Sequence, residues 1–125
     1  MSWVEVHNER TNELLLGNVR HCSGFLSRLR GLMFRRVLRD DEGLLLIGKR
    51  EDRLDAAIHM FFVFFPIAVI WLDSGGCVVD AQLARPFRPF YAPDAAAKDV
   101  LEGPPALLDR VQVGDPLRFE KAAHE

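Results

Sequence analysis

Residues 58–73 read IHMFFVFFPIAVIWLD, an almost unbroken apolar run with a histidine near its start and an aspartate at its end. A helix that crosses a bilayer needs about 20 apolar residues, and the run from Ala56 to Leu72 is shorter. Pro66 sits in its middle, where a helix would lose a hydrogen bond and clash with the preceding turn. Ile67, Val69, Ile70 and Trp71 follow, and β-branched and aromatic side chains suit a pleated, buried surface. Next comes DSGG (73–76) and then CVVDAQL, with glycines able to take positive φ between two β-rich runs, which is a hairpin signal. The stretch therefore predicts two consecutive buried strands, 58–64 and 67–72, hinged at Pro66. It reads as core, not membrane.

Working outward, WVEVHNE alternates apolar and polar residues, NERTNE makes a turn and LLLGNVRHC resumes the pattern, so residues 3–22 predict an opening hairpin. Ser23 is placed to cap a short helix near residues 24–30, where Phe25, Leu26 and Leu29 share a face and Gly31 stops the turn. LLLI (44–47) predicts a further buried strand, GKREDRLD a charged loop, and RPFRPFYAPDAA a loop without period. AAKDVLEGPP is ambiguous between helix and strand, and VQVGDPLRFE predicts a hairpin-like pair around Gly114–Asp115. Many short strands with one brief helix predict a mainly β protein, an antiparallel β-sandwich. With neither repeat nor linker, residues 1–125 read as a single domain, with 121–125 a frayed tail.

At 125 residues the chain is long enough to bury a core without staples. Its 49% hydrophobic and 27% charged content exclude intrinsic disorder, and a net charge of −2 gives no global attraction to nucleic acid. The N-terminal MSWVEVHNERTNE shows no signal peptide, so a cytoplasmic location is expected, with Cys22 and Cys77 as reduced thiols.

His7, His21, Cys22, His59 and Cys77 are zinc-binding types without a paired spacing, so no metal and no cofactor is expected. Nor is there a GxSxG, a phosphate loop or an HExxH motif. His59 carries two readings. It is either a core histidine bonded to a carboxylate or the backbone, or a pocket histidine at a strand end facing Arg30 or Glu102. Glu102 closes the apolar VLE stretch, where a buried carboxylate needs a cation, with Arg30 first and Arg85 second. RLRGLMFRRVLR clusters Arg28, Arg30, Arg35, Arg36 and Arg39, either a grip for an anion or a solvated rim balanced by Asp40, Asp41 and Glu42.

RLRGLMFR, DEGLLLI, IHMFFVFFPIAVIWLD, VLE and VGD, in this order, resemble the bacterial and archaeal family known as domain of unknown function 192, over about residues 18–119. The resemblance implies a bacterial-type β-sandwich of jelly-roll form and supplies no reaction. Its motif positions fall on Arg30, Gly31, Leu32, Met33, Glu42, Gly43, His59, Met60, Pro66, Asp73, Glu102, Gly114 and Asp115. Where the family usually reads PIDVVFLD, Ala68 replaces the aspartate, and GPP follows VLE in place of LxxG. A family-wide role for that aspartate is thus absent here.

The leading expectation is a non-enzymatic module that binds a small molecule or a protein partner, with Phe87, Phe90 and Tyr91 of the FRPFY loop as apolar contacts. An enzyme using His59 as acid–base and Arg30 on an anionic substrate is the alternative. An assembly component using the arginine rim and aromatic loop is the third.

Overall fold

The computed structural model describes residues 2–23, 32–33, 37–60 and 62–122. β1 (Ser2–Asn8) and β2 (Glu13–Cys22) form the expected opening hairpin, closed by a turn in which Asn12 takes φ 61°. β3 (Glu42–Leu46), β4 (Ile67–Leu72), β5 (Val78–Ala84), β6 (Asp99–Gly103) and β7 (Leu117–Lys121) follow, with a 3₁₀ helix at Pro105–Asp109. The helix expected near residues 24–30 lies outside the described residues. Among the described residues, no helix is long and apolar enough to cross a membrane.

The seven described strands join one sheet in the order β5-β4-β6-β3-β2-β1-β7. A flat sheet of this width would hold its edges about 29 Å apart at the usual strand spacing. Instead, Val78 at the start of β5 donates its N–H to Asp115 at 2.9 Å, and Leu117 of β7 donates to Gly76 at 3.0 Å. The sheet therefore curls until its two edge strands meet at one corner, in the manner of a barrel that closes only there. This differs from the expected antiparallel sandwich: the strands form one sheet, and β2 and β3 pair in parallel. Parallel neighbours need a long crossover, here the stretch between Cys22 and Glu42, whose local sequence says nothing of pairing.

β4 is the spine. All six of its residues are buried, and alternation sends Ile67, Val69 and Trp71 into one apolar cluster and Ala68, Ile70 and Leu72 into another. The second cluster fills the inside of the curl and is capped by Leu107 of the 3₁₀ helix. The first lies on the other face, beneath Leu32, Ile58, Met60, Val63 and Tyr91. The Trp71 indole N–H donates to Ala56 at 2.7 Å, so the largest core ring also anchors the segment that covers it. The β4–β5 hairpin matches the sequence expectation, because the Asp73 carboxylate accepts from Gly75 at 2.9 Å and Cys77 at 3.0 Å while Gly76 takes φ 84°.

Two expectations fail. The described residues of 58–64 form no strand: Ile58 makes a single bridge with Tyr91, and Phe62 turns into the left-handed region at φ 58°. The run lacks the alternation that fixes a strand's register, and its N–H groups bond to a loop instead. Nor do residues on both sides of Gly114 form a hairpin. Gly114, at φ 98°, turns the chain so that β7 pairs with β1. The two cysteines are free thiols.

Gly43 of β3 faces β6 so closely that a Cβ would lie 2.5 Å from the Glu102 carbonyl oxygen. Gly43→Ala must push these strands apart and is expected to lose about 2 kcal/mol, read from urea midpoints.

Candidate functional site

Two features stand out on the face covered by the first cluster. One is Glu102. Register places it between Leu44 of β3 and Val69 of β4, and alternation sends its side chain to the same side as Val100. Only 5% of the residue is exposed, and burial pushes its carboxyl from an ordinary 4.5 up to about 7. The inward course of VLE is as the sequence expects. Arg30 and Gly31 lie outside the described residues. Arg85, the second expected cation, is exposed, and among the described residues no ion pair joins it to Glu102; its backbone N–H donates to the Tyr91 hydroxyl at 2.8 Å.

The other feature is a pair of stitched loops. Ile58 and Tyr91 exchange backbone hydrogen bonds of 2.8 and 3.0 Å, Met60 donates to Arg88 at 3.0 Å, and Phe87 donates to Met60 at 2.9 Å. Met60 is fully buried and His59 half-buried, so His59 sits where the covering segment meets solvent. Held by this lattice, Phe62, Phe64, Phe87 and Phe90 stay about half exposed. Phe62 and Phe87 both occupy left-handed backbone, at φ 58° and 64°. Such a conformation is an outlier for a bulky side chain and marks strain imposed by surrounding contacts. The Phe87 ring lies 6.1 Å from Phe62, edge-on, and 5.5 Å from Phe64. No carboxylate occurs in residues 56–66 or 85–93, whereas Arg85 and Arg88 are exposed beside the rings.

The sequence anticipates Phe87 and Phe90 here, but Tyr91 is a correction. It is 8% exposed, with its ring in the core and the Arg88 guanidinium 5.5 Å from the ring centre. A hydroxyl at the end of a large apolar ring is well suited to pin a loop from inside. Phe62 and Phe64 are missed, because an apolar run gives no hint that its aromatics face outward. The one available signal is two adjacent Phe pairs before a proline, with no polar residue to set a register.

The remaining described motif positions lie in the core or in hydrogen-bonded turns and strand ends. Leu32 is buried and Met33 packs partly against the same cluster; Pro66 is exposed at the entry to β4. The Glu42 carboxylate accepts from the Arg39 N–H at 3.2 Å. Asp115 is 2% exposed and accepts from Asn8 at 2.9 Å, from the Gln112 N–H at 2.9 Å and from the Arg10 guanidinium. The Arg10 hydrogen bond holds its carboxyl below the ordinary range. Asn8, fully buried, also donates to the Arg110 carbonyl at 3.1 Å. Asp80 similarly staples β5 to the next loop, accepting from Gln82 at 2.9 Å and Asp94 at 3.0 Å.

On β1, His7 lies 3.3 Å from Glu5 and 3.6 Å from Glu120 of β7, a grouping that spacing within either segment does not announce. Arg118 holds the other oxygen of Glu120 at 2.8 Å. The four side chains make a partly exposed polar cluster, with the Arg118–Glu120 pair charged. A cleft of about 240 Å³ near the 3₁₀ helix is lined by Leu15, Leu16, Asp40 and Arg110, among others. The Arg110 guanidinium there is already bonded to the Leu14 and Leu15 carbonyls.

Among solved structures, a Sinorhizobium meliloti protein described as a candidate transcription regulator superposes with a TM-score of 0.81, at 21% identity over 95% of this chain and 96% of that one. A Novosphingobium aromaticivorans protein of unknown function gives 0.78, at 22% identity over 93% and 83%. These likenesses establish the fold and nothing of activity. By sequence, a UPF0127 protein of Thermococcus sibiricus is 38% identical over 115 residues, 90% of this chain and 73% of the relative. A UPF0127 protein of Pyrococcus horikoshii is 37% identical over 114 residues, 90% and 96%. Both relatives are archaeal, which corrects the bacterial type expected from the motifs. The family model of DUF192, described as Uncharacterized ACR, matches residues 6–119, beginning before the motifs at residue 18, and on these grounds the chain belongs to that family.

Proposed function

We propose that the protein is a binding module rather than an enzyme, and that its contact surface is the aromatic tip formed by residues 62–64 and 87–90. The observation that carries this reading is the pair of half-exposed phenylalanines in left-handed backbone. Evolution toward stability alone would place glycine or asparagine there, and exposed apolar patches on strained loops are a mark of contact sites. Rigid stitching through Met60 and Tyr91 presents the rings without an ordering penalty on binding. One domain in the cytoplasm, with both thiols reduced, suits this role.

Phe62→Gly and Phe87→Gly test the reading. Relief of left-handed strain, worth about 1–2 kcal/mol, should offset the lost ring contacts, so each variant is expected to stay within about 1 kcal/mol of wild type in urea. A loss above about 3 kcal/mol would make the rings part of the fold and remove the argument. In a fragment screen by amide chemical shifts, wild-type responses should gather in residues 60–66 and 85–91 and vanish in the variants.

An enzyme remains the second reading, favoured by one observation: a buried carboxyl that titrates near neutrality, Glu102, is the kind of group general acid–base chemistry uses. His59 would be its acid–base companion at the solvent edge.

A further inference from the structure

The binding reading leaves open what the aromatic tip contacts. Resting on that reading, we infer that the tip is a wedge for the surface of an anionic lipid bilayer, with Phe62, Phe64, Phe87 and Phe90 entering the acyl boundary and Arg85 and Arg88 engaging headgroup phosphates.

Three observations select this occupant. First, the rings gather at two turns: Phe62 and Phe87 each stand in a turn with ring centres 6.1 Å apart, Phe64 lies 5.5 Å from Phe87, and all three are about half exposed. A contiguous patch of half-exposed rings is the kind of apolar surface that a membrane interface takes up. Second, the tip offers rings and two guanidiniums but no side-chain amide, hydroxyl or carboxylate in residues 60–66 or 85–90. A protein interface of ordinary size carries about one hydrogen bond per 100–200 Å², and base recognition by a nucleic acid partner asks for similar donors and acceptors. A lipid surface asks for none. Third, the charge is one-sided: Arg85 and Arg88 are exposed within a loop that has no acid to neutralise them, although the whole chain is net negative. The field at this end is therefore complementary to an anionic leaflet, where each basic residue adds to affinity and salt weakens the attraction. The backbone bonds between Met60 and the Phe87–Arg88 turn keep all six groups on one rigid tip, so insertion orders nothing new.

Co-sedimentation with vesicles decides the matter. One set is made of equal parts phosphatidylcholine and phosphatidylglycerol, the other of phosphatidylcholine alone. The wild-type protein should bind the anionic vesicles about tenfold more strongly than the neutral ones, and less as salt rises. The double variant Phe62→Gly/Phe87→Gly should lose about tenfold on anionic vesicles while melting as wild type does. The pair Arg85→Gln/Arg88→Gln should erase the difference between the two vesicle types. Wild-type protein that ignores both vesicles overturns the lipid assignment while leaving the contact-surface reading to its own fragment screen. Vesicle binding that survives the glycine pair overturns the assignment of the tip itself. Dimerisation in solution that the glycine pair abolishes would give the surface to a second copy of the chain, and would equally overturn the lipid proposal.

Discussion

Asp115→Ala is expected to lower stability by about 3 kcal/mol at pH 7. The carboxylate is 2% exposed and takes hydrogen bonds from Asn8, from the Gln112 N–H and from the Arg10 guanidinium. Removing it takes one acceptor from the amide of Asn8, itself fully buried, whose NH2 keeps its bond to the Arg110 carbonyl while its oxygen still accepts from the Arg10 N–H. It also frees the turn that delivers β7 to β1. Asp115→Asn, which keeps the shape but sets an amide against donors, should fall between the two. The acid limb carries the same information. The Arg10 hydrogen bond holds the Asp115 carboxyl below its ordinary 3.8. A carboxyl depressed in the folded state adds stability that is present above the unfolded value, and that stability is lost as pH falls through the folded one. Wild type should therefore lose stability below about pH 4, and Asp115→Ala should lose correspondingly less. A stability loss under about 1 kcal/mol for the alanine variant would show that the corner holds without this network.

Glu102→Gln should do the reverse. Burial raises the Glu102 carboxyl from 4.5 to about 7 in the folded protein. For a group raised on folding, stability is fullest below pH 4.5, declines as the unfolded chain ionises first, and levels off once pH passes about 7. The shift corresponds to about 3 kcal/mol between the two plateaus. Glutamine removes the titration, so the variant's stability should be flat across this window and exceed that of wild type at pH 8 by up to about 3 kcal/mol. Chemical denaturation at pH 4.5, 6 and 8 measures this directly. The same series tests the ion pair that the sequence suggests between Arg30 and Glu102. A paired carboxylate would make Glu102→Gln destabilising at pH 8, by about 3–5 kcal/mol if buried, and would abolish the decline toward neutral pH. The Asp115 and Glu102 windows do not overlap, so one pH series separates them.

Where side chains alternate, or where a turn has its own chemistry, the chain announced its structure. The pattern of Trp3, Val4 and Val6 with the LLLGNVRHC run marked the β1–β2 hairpin, Asp73 with Gly75 and Gly76 marked the β4–β5 turn, and the ordered motifs named the family. Glu102 at the end of VLE was legible as a carboxyl driven inward, because an apolar strand carries its neighbours with it. These are local facts, settled by a few adjacent residues and the geometry of a strand or turn.

What only the tertiary structure decided is longer in range. The parallel β2–β3 pair, the return of β7 to β1 and the curl that joins the sheet's edges depend on contacts between distant segments, to which period and propensity are blind. The same holds for Asn8 against Asp115, and for His7 between Glu5 and Glu120. Residues 58–64 carried enough apolar content for a strand, yet became a cover from which Phe62 and Phe64 face outward. Hydrophobicity alone states that a side chain prefers to leave water; which side of the backbone it leaves by depends on distant contacts, here the bonds of Met60 and Tyr91 that join two loops while Phe62 and Phe87 stay half exposed.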